Sequence, residues 1–210
     1  MAKRQFGQER GFTMVELMLV VAIGMIVVGM AMGGVPGMIK TSRADGGLAG
    51  VAAGLRAARE AAISSRRNVQ ITFGTNTIII TRLEYCPATC TTGTAGTFPG
   101  CTTTCTAKTT VVRTVTLEGR TQFLMPPAAI TTDTADGFGK AATDGINLGS
   151  LVPAMFTTDG SFINSNGDIL NGTVFIGVPG DTLSTRAVSI FGPSGAMRQW
   201  KWNGRAWVEA

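Results

Sequence analysis

Residues 12–35 are apolar except for Thr13 and Glu16. A helix of these 24 residues rises about 36 Å, enough to cross a hydrocarbon core of about 30 Å. A secretory leader is the rival reading, but its apolar core runs only about 7–15 residues and ends at a small-residue cleavage site. Here the run is longer and the natural cut precedes it. Gly24, Gly29, Gly33 and Gly34 interrupt the stretch, as membrane helices tolerate. Gly29-Met30-Ala31-Met32-Gly33 also fits the small-xxx-small spacing of close helix pairs. Pro36 predicts a kink near Val35-Pro36-Gly37. Beyond it, Leu48, Val51, Ala52, Leu55, Ala58, Ala62 and Ile63 recur at helical spacing, while Arg56, Arg59, Glu60 and Arg66 lie mostly off that stripe. Asp45 could start or reinforce this helical turn, and Arg66-Arg67 suit its carboxyl end.

From Val69 the period changes to two. Residues 69–73 and 77–83 read as strands joined through Gly74-Thr75-Asn76. Residues 111–117 read as a third strand. Its more apolar face, Val111, Val115 and Leu117, also carries Arg113, so either face could be the buried one. Residues 119–125 continue this meander until Pro126-Pro127 ends it. Residues 128–172 predict loops with short strands. Residues 173–178, 187–191 and 196–202 predict late strands, with Gly192-Pro193-Ser194-Gly195 as a turn and Gly204 marking another before Trp207-Val208.

The 210 residues fit one globular unit plus an anchor. Gly 28 and a Thr-rich middle agree with β-structure and turns. The absence of histidine excludes histidine-based triads and histidine metal sites. The formal charge is +5, and loss of residues 1–11, with Lys3, Arg4, Arg10 and Glu9, lowers it by two. That excess permits contact with acidic lipid or nucleic acid without arguing for either. Basic residues on both sides of the apolar run, Lys3, Arg4 and Arg10 before it and Lys40 and Arg43 after it, lean only slightly towards a cytoplasmic N-terminus.

Glu16 is the exception within the apolar run. A carboxylate inside a membrane helix costs on the order of 2–3 kcal/mol and usually has a partner. At a helix end it could instead sit among headgroups. A cut between Gly11 and Phe12 would create an α-amine four residues away, so that the two charges neutralise each other within one chain or between neighbours.

Four cysteines form two pairs, Cys86-x3-Cys90 and Cys101-x3-Cys105, in a Gly- and Thr-rich insertion over residues 86–105. An even count in a loop-rich segment suits an oxidising exterior. The symmetric placement suggests a nested ladder, Cys86–Cys105 and Cys90–Cys101, which would limit the entropy of the loop. Local pairs Cys86–Cys90 and Cys101–Cys105 are the main rival, and a four-thiolate zinc site is a weaker one. Asn164-Ser165-Asn166-Gly167-Asp168 has part of a calcium-loop pattern but lacks the late glutamate, so it reads as a polar turn. Asn171-Gly172-Thr173 is a glycosylation-type triplet of low specificity. In the tail, Arg198, Lys201 and Arg205 alternate with Trp200, Trp202 and Trp207. Cations and aromatic faces together can hold single-stranded nucleic acid. The structural alternative is a terminal strand whose Trp200 and Trp202 face the core helix, with Arg198 and Gln199 near an exposed edge.

Arg10-Gly11-Phe12-Thr13-Met14-Val15-Glu16-Leu17 resembles the processing site of type IV pilins and type II secretion pseudopilins. The resemblance implies cleavage after Gly11 by a prepilin peptidase, N-methylation of Phe12, and a docking role for Glu16 in a helical filament. Leu55-Arg56-Ala57-Ala58-Arg59-Glu60-Ala61-Ala62-Ile63 followed by Val69-Gln70-Ile71-Thr72-Phe73 is similar to the GspH/FimT group of minor pilins and pseudopilins. Some FimT-like pilins bind DNA through a C-terminal Gly-Arg-x-Arg motif. Here Gly204-Arg205 is followed by Trp207 at the second arginine position.

The expected organisation is α+β and pilin-like, with a long N-terminal helix packed on an antiparallel β-sheet head. It divides into a leader (1–11), a transmembrane helix (12–36), its amphipathic continuation (37–67) and a periplasmic β-rich head (68–210). The resemblance implies a non-catalytic subunit, held in the inner membrane by a single span, that initiates or caps a pseudopilus in type II secretion. The alternative is a DNA-binding minor pilin of natural transformation. Implied partners are other pilins, the prepilin peptidase, the inner-membrane assembly platform and membrane lipid. No cofactor or metal site is expected. An aspartate-based hydrolase using Asp159 or Asp168 is the remaining enzymatic rival.

Overall fold

The computed structural model describes residues 12–32, 35–85, 108–138, 144–148, 153–164 and 166–210. The chain divides into two compact units at Ile39 and Lys40. In the first, helix α1 spans Met14–Met32. It is apolar on every side, and its side chains from Met14 to Met30 are exposed. The sequence predicted one helix over 12–35; α1 covers Met14–Met32 of it, residues 33–34 lie outside the described residues, and a helix α2 runs over Val35–Ser65. Pro36 sits in the first turn of α2, where its missing N–H has no intrahelical partner to lose. Among the described residues no helix is long and apolar enough to cross a membrane.

The second unit is built on the part of α2 from Lys40 onward. Leu48, Val51, Ala52, Leu55, Ala58 and Ala62 are buried and form the main core with strands of two sheets. Ile63, expected on that stripe, is instead 42% exposed. Gly54 allows the close approach, since a Cβ there would lie 2.9 Å from a methyl of Val115. The helix ends at Arg66, whose φ of 51° is left-handed. The Arg67 N–H then reaches back to the Ala62 carbonyl at 3.2 Å, the reversal that closes a helix C-terminus.

The first sheet contains β1 (Val69–Phe73), β2 (Thr77–Tyr85), β3 (Lys108–Thr116), β6 (Ala154–Phe156) and β7 (Phe162–Ile163), ordered β3-β2-β1-β6-β7. The second contains β4 (Gln122–Phe123), β8 (Gly172–Gly177), β9 (Arg186–Phe191), β10 (Ala196–Trp202) and β11 (Trp207–Glu209), ordered β11-β10-β9-β8-β4. The short strand β5 (Ile146–Asn147) also pairs with β8. All of these pairings are antiparallel. Residues 122–123 therefore do not continue the first meander. A turn with positive φ at Gly119 carries them to the second sheet, where Phe123 lies opposite Ile176.

Each face of the second sheet packs on something different. Val174, Ile176, Val188 and Ile190 enter the main core with α2. Phe175, Ala187, Trp200, Trp202 and Trp207 form a separate cluster with Ile130. The sequence suggested that Trp200 and Trp202 face the core helix; they do not. The register places Trp200 opposite Ala187, on the far face, and the segment carrying Ile130 covers it.

Candidate functional site

At the start of α1, Phe12 precedes the helix and Thr13 caps it. The Glu16 N–H reaches the Thr13 hydroxyl at 3.3 Å and its carbonyl at 3.1 Å, and the Leu17 N–H reaches the same carbonyl at 3.2 Å. Thr13-Met14-Val15-Glu16 has the spacing of a capping box, with Glu16 as the third helical residue. A carboxylate there faces the positive end of the helix dipole, worth about 0.3–1 kcal/mol at an exposed position. Glu16 and Phe12 are both exposed. The cap was legible in the sequence as a Thr three residues before a Glu at the head of an apolar run, and the sequence reading passed over it. Gly11 lies outside the described residues, as do Cys86, Cys90, Cys101 and Cys105.

The three tail cations do not converge. Arg198 lies on the same face of β10 as Trp200 and Trp202, Lys201 lies on the opposite face, and Arg205 sits in the turn before β11. All three are exposed. The tryptophan rings are 6–8% exposed. The rings of Trp202 and Trp207 meet edge-on at 5.6 Å, and Trp207 meets Phe175 at 5.9 Å. Trp207 donates its indole N–H to the Thr131 carbonyl at 2.7 Å. These rings are core, so no stacking platform for bases is exposed by them.

A cleft opens beside them. The Trp200 indole N–H donates to the Ser189 hydroxyl at 2.9 Å, and Ser189 in turn donates to Asp136 Oδ2. Asp136 Oδ1 accepts from the Thr134 hydroxyl at 2.7 Å and from the Phe138 N–H at 3.3 Å. Phe138 stacks on Phe191 with centroids 5.9 Å apart and planes at 14°. These groups, with Ala196 and Arg198, line a cavity of about 380 Å³. The sequence offered no signal for it, because Asp136 meets Ser189 only across 53 residues of chain.

Asp159 and Asp168 are each engaged within their own turn. Asp159 accepts from the Thr157 and Ser161 hydroxyls and from the Ser161 N–H. Those hydrogen bonds hold its carboxyl below the ordinary aspartate range. Asp168 accepts from the Asn164 side-chain amide at 3.0 Å, while Asn164 Oδ1 takes the N–H groups of Asn166 and Asp168. This is the polar turn expected there. Among the described residues no acidic cluster is placed to hold a metal.

Residues 7–32 match the family model of the prokaryotic N-terminal methylation motif. That motif is a type IV pilin-like prepilin signal. It points in general to a non-catalytic structural subunit, processed by a prepilin peptidase and assembled with other pilins. No match is found among curated proteins or among solved structures.

Proposed function

We propose that this chain is a minor pilin or pseudopilin of the GspH/FimT type that initiates or caps a filament in type II secretion. The carrying observation is the methylation motif together with Glu16 in the first turn of a helix apolar on all sides. Cleavage after Gly11 would free the amine of Phe12 immediately before the Thr13 cap. A positive amine at a helix N-terminus opposes the helix dipole. Glu16, one turn away, offsets that charge, and N-methylation preserves it. Such a pair lets the start of α1 enter an apolar helix bundle at a lower desolvation cost than either charge alone.

In this reading α1 and the apolar residues that follow it in sequence anchor the unassembled subunit in the inner membrane. The second unit then faces the periplasm, where Cys86–Cys105 and Cys90–Cys101 form a ladder. Non-reducing peptide mapping tests that pairing: it should return those two cross-linked peptides and not the local pairs. Nucleic-acid binding has weaker support, because Arg198, Lys201 and Arg205 are dispersed and the tryptophans are buried. The deciding experiment compares the parent chain with Glu16→Ala in cells that assemble the filament. The variant should be processed and membrane-extractable yet absent from sheared filaments. Normal incorporation of Glu16→Ala would remove the proposed docking role.

A further inference from the structure

We propose that the cleft beside the tryptophan cluster is a binding site for the zwitterion of an α-amino acid with an apolar side chain. This inference is independent of the filament reading. The cleft carries opposite charges that are not spent on each other. A carboxylate has about four acceptor directions. Three at Asp136 are taken by Thr134, Phe138 and Ser189, which leaves one. Arg198 is exposed, and its guanidinium makes no hydrogen bond or ion pair among the described residues. The Phe138–Phe191 stack lines the same cleft two residues along β9 from Ser189, and Phe191 is 43% exposed.

An α-ammonium satisfies the open direction of Asp136, an α-carboxylate fits the planar fork of Arg198, and an apolar side chain covers the phenylalanine wall. A simple anion would leave Asp136 opposing it. A simple cation would leave Arg198 unused. The volume of about 380 Å³ falls in the usual range of small-molecule pockets, about 300–1,000 Å³. The Asp136 carboxylate is held in place from behind by buried Ser189 and Trp200, so one side of the site is pre-organised before a ligand arrives.

Titration calorimetry on the full chain in detergent, with three probes, tests the proposal. L-Phenylalanine should bind saturably, with N-acetyl-phenylalanine and phenylalaninamide each about tenfold weaker for the loss of one charge-assisted contact. Arg198→Gln, at an exposed position, should weaken L-phenylalanine about tenfold and abolish its advantage over phenylalaninamide. Absence of saturable L-phenylalanine binding up to about 10 mM, equal affinity for all three probes, or an unchanged Arg198→Gln variant would each overturn it.

Discussion

Thr13 and Glu16 act as one unit at the head of α1. The Glu16 N–H is shared between the hydroxyl and the carbonyl of Thr13, and the cap sets Glu16 in the first turn. Thr13→Ala should therefore cost about 1 kcal/mol of helix stability, visible as reduced helicity of α1 by circular dichroism in micelles. Thr13→Ser should restore it. Trp200 works differently, as a buried donor. Trp200→Phe keeps most of the apolar volume but leaves Ser189 without its indole partner, and should destabilise the second unit by about 1–3 kcal/mol in denaturant unfolding. Asp159 adds a pH dependence. Its folded-state carboxyl titrates below the ordinary value, so its contribution is present above that value and is lost as pH falls through the depressed one. Acidification below about pH 4 should thus weaken the parent chain more than Asp159→Asn, which unfolding midpoints across that window will read.

Among the elements, α2 was the most legible. Its buried stripe from Leu48 to Ala62 follows the 3.6-residue period that the sequence displays. Strand β1 and the turn after it were equally plain, because alternation and Gly74 agree there. Asp45 was misplaced by local reasoning. It lies within α2, ten residues past the start, and binds Arg186 of β9 at 2.7 Å. A helix-start residue and a partner for a distant arginine look alike in sequence. The Arg186 side chain is 3% exposed and also donates to the Leu183 and Thr185 carbonyls. Asp45→Ala should cost about 1–3 kcal/mol because it leaves a buried guanidinium N–H unpaired. Combining it with Arg186→Met should cost less than the two single changes summed, in a double-mutant cycle.

Strand β3 shows why its face could not be chosen from sequence. The pairing runs Ile80 to Arg113 and then Thr81 to Val111, so Val112 is the extra residue of a bulge. Alternation breaks there. Val115 packs on the core while Val111 and Val112 are both exposed. A bulge with Arg113 beside it also blunts a strand that has no partner on its other side among the described residues.

At the scale of the whole molecule, the two units have opposite surface chemistry. One presents an apolar helix to its surroundings; the other closes two cores around a sheet buried on both faces. The apolar run that holds α1 was readable from hydropathy alone. The double-sided burial was not, since β8 and β9 are apolar enough to fit a single core, and the far face is buried only because the distant segment carrying Ile130 packs on it. The cleft was invisible for the same reason: it depends on contacts between segments far apart in the chain.

The proposed filament role requires the chain to be cut between Gly11 and Phe12 and methylated on the new amine. Intact-mass measurement of the protein from cells with an active prepilin peptidase addresses this directly. The expected species begins at Phe12 and carries one N-methyl group, whereas a chain that retains Met1–Gly11 would contradict it.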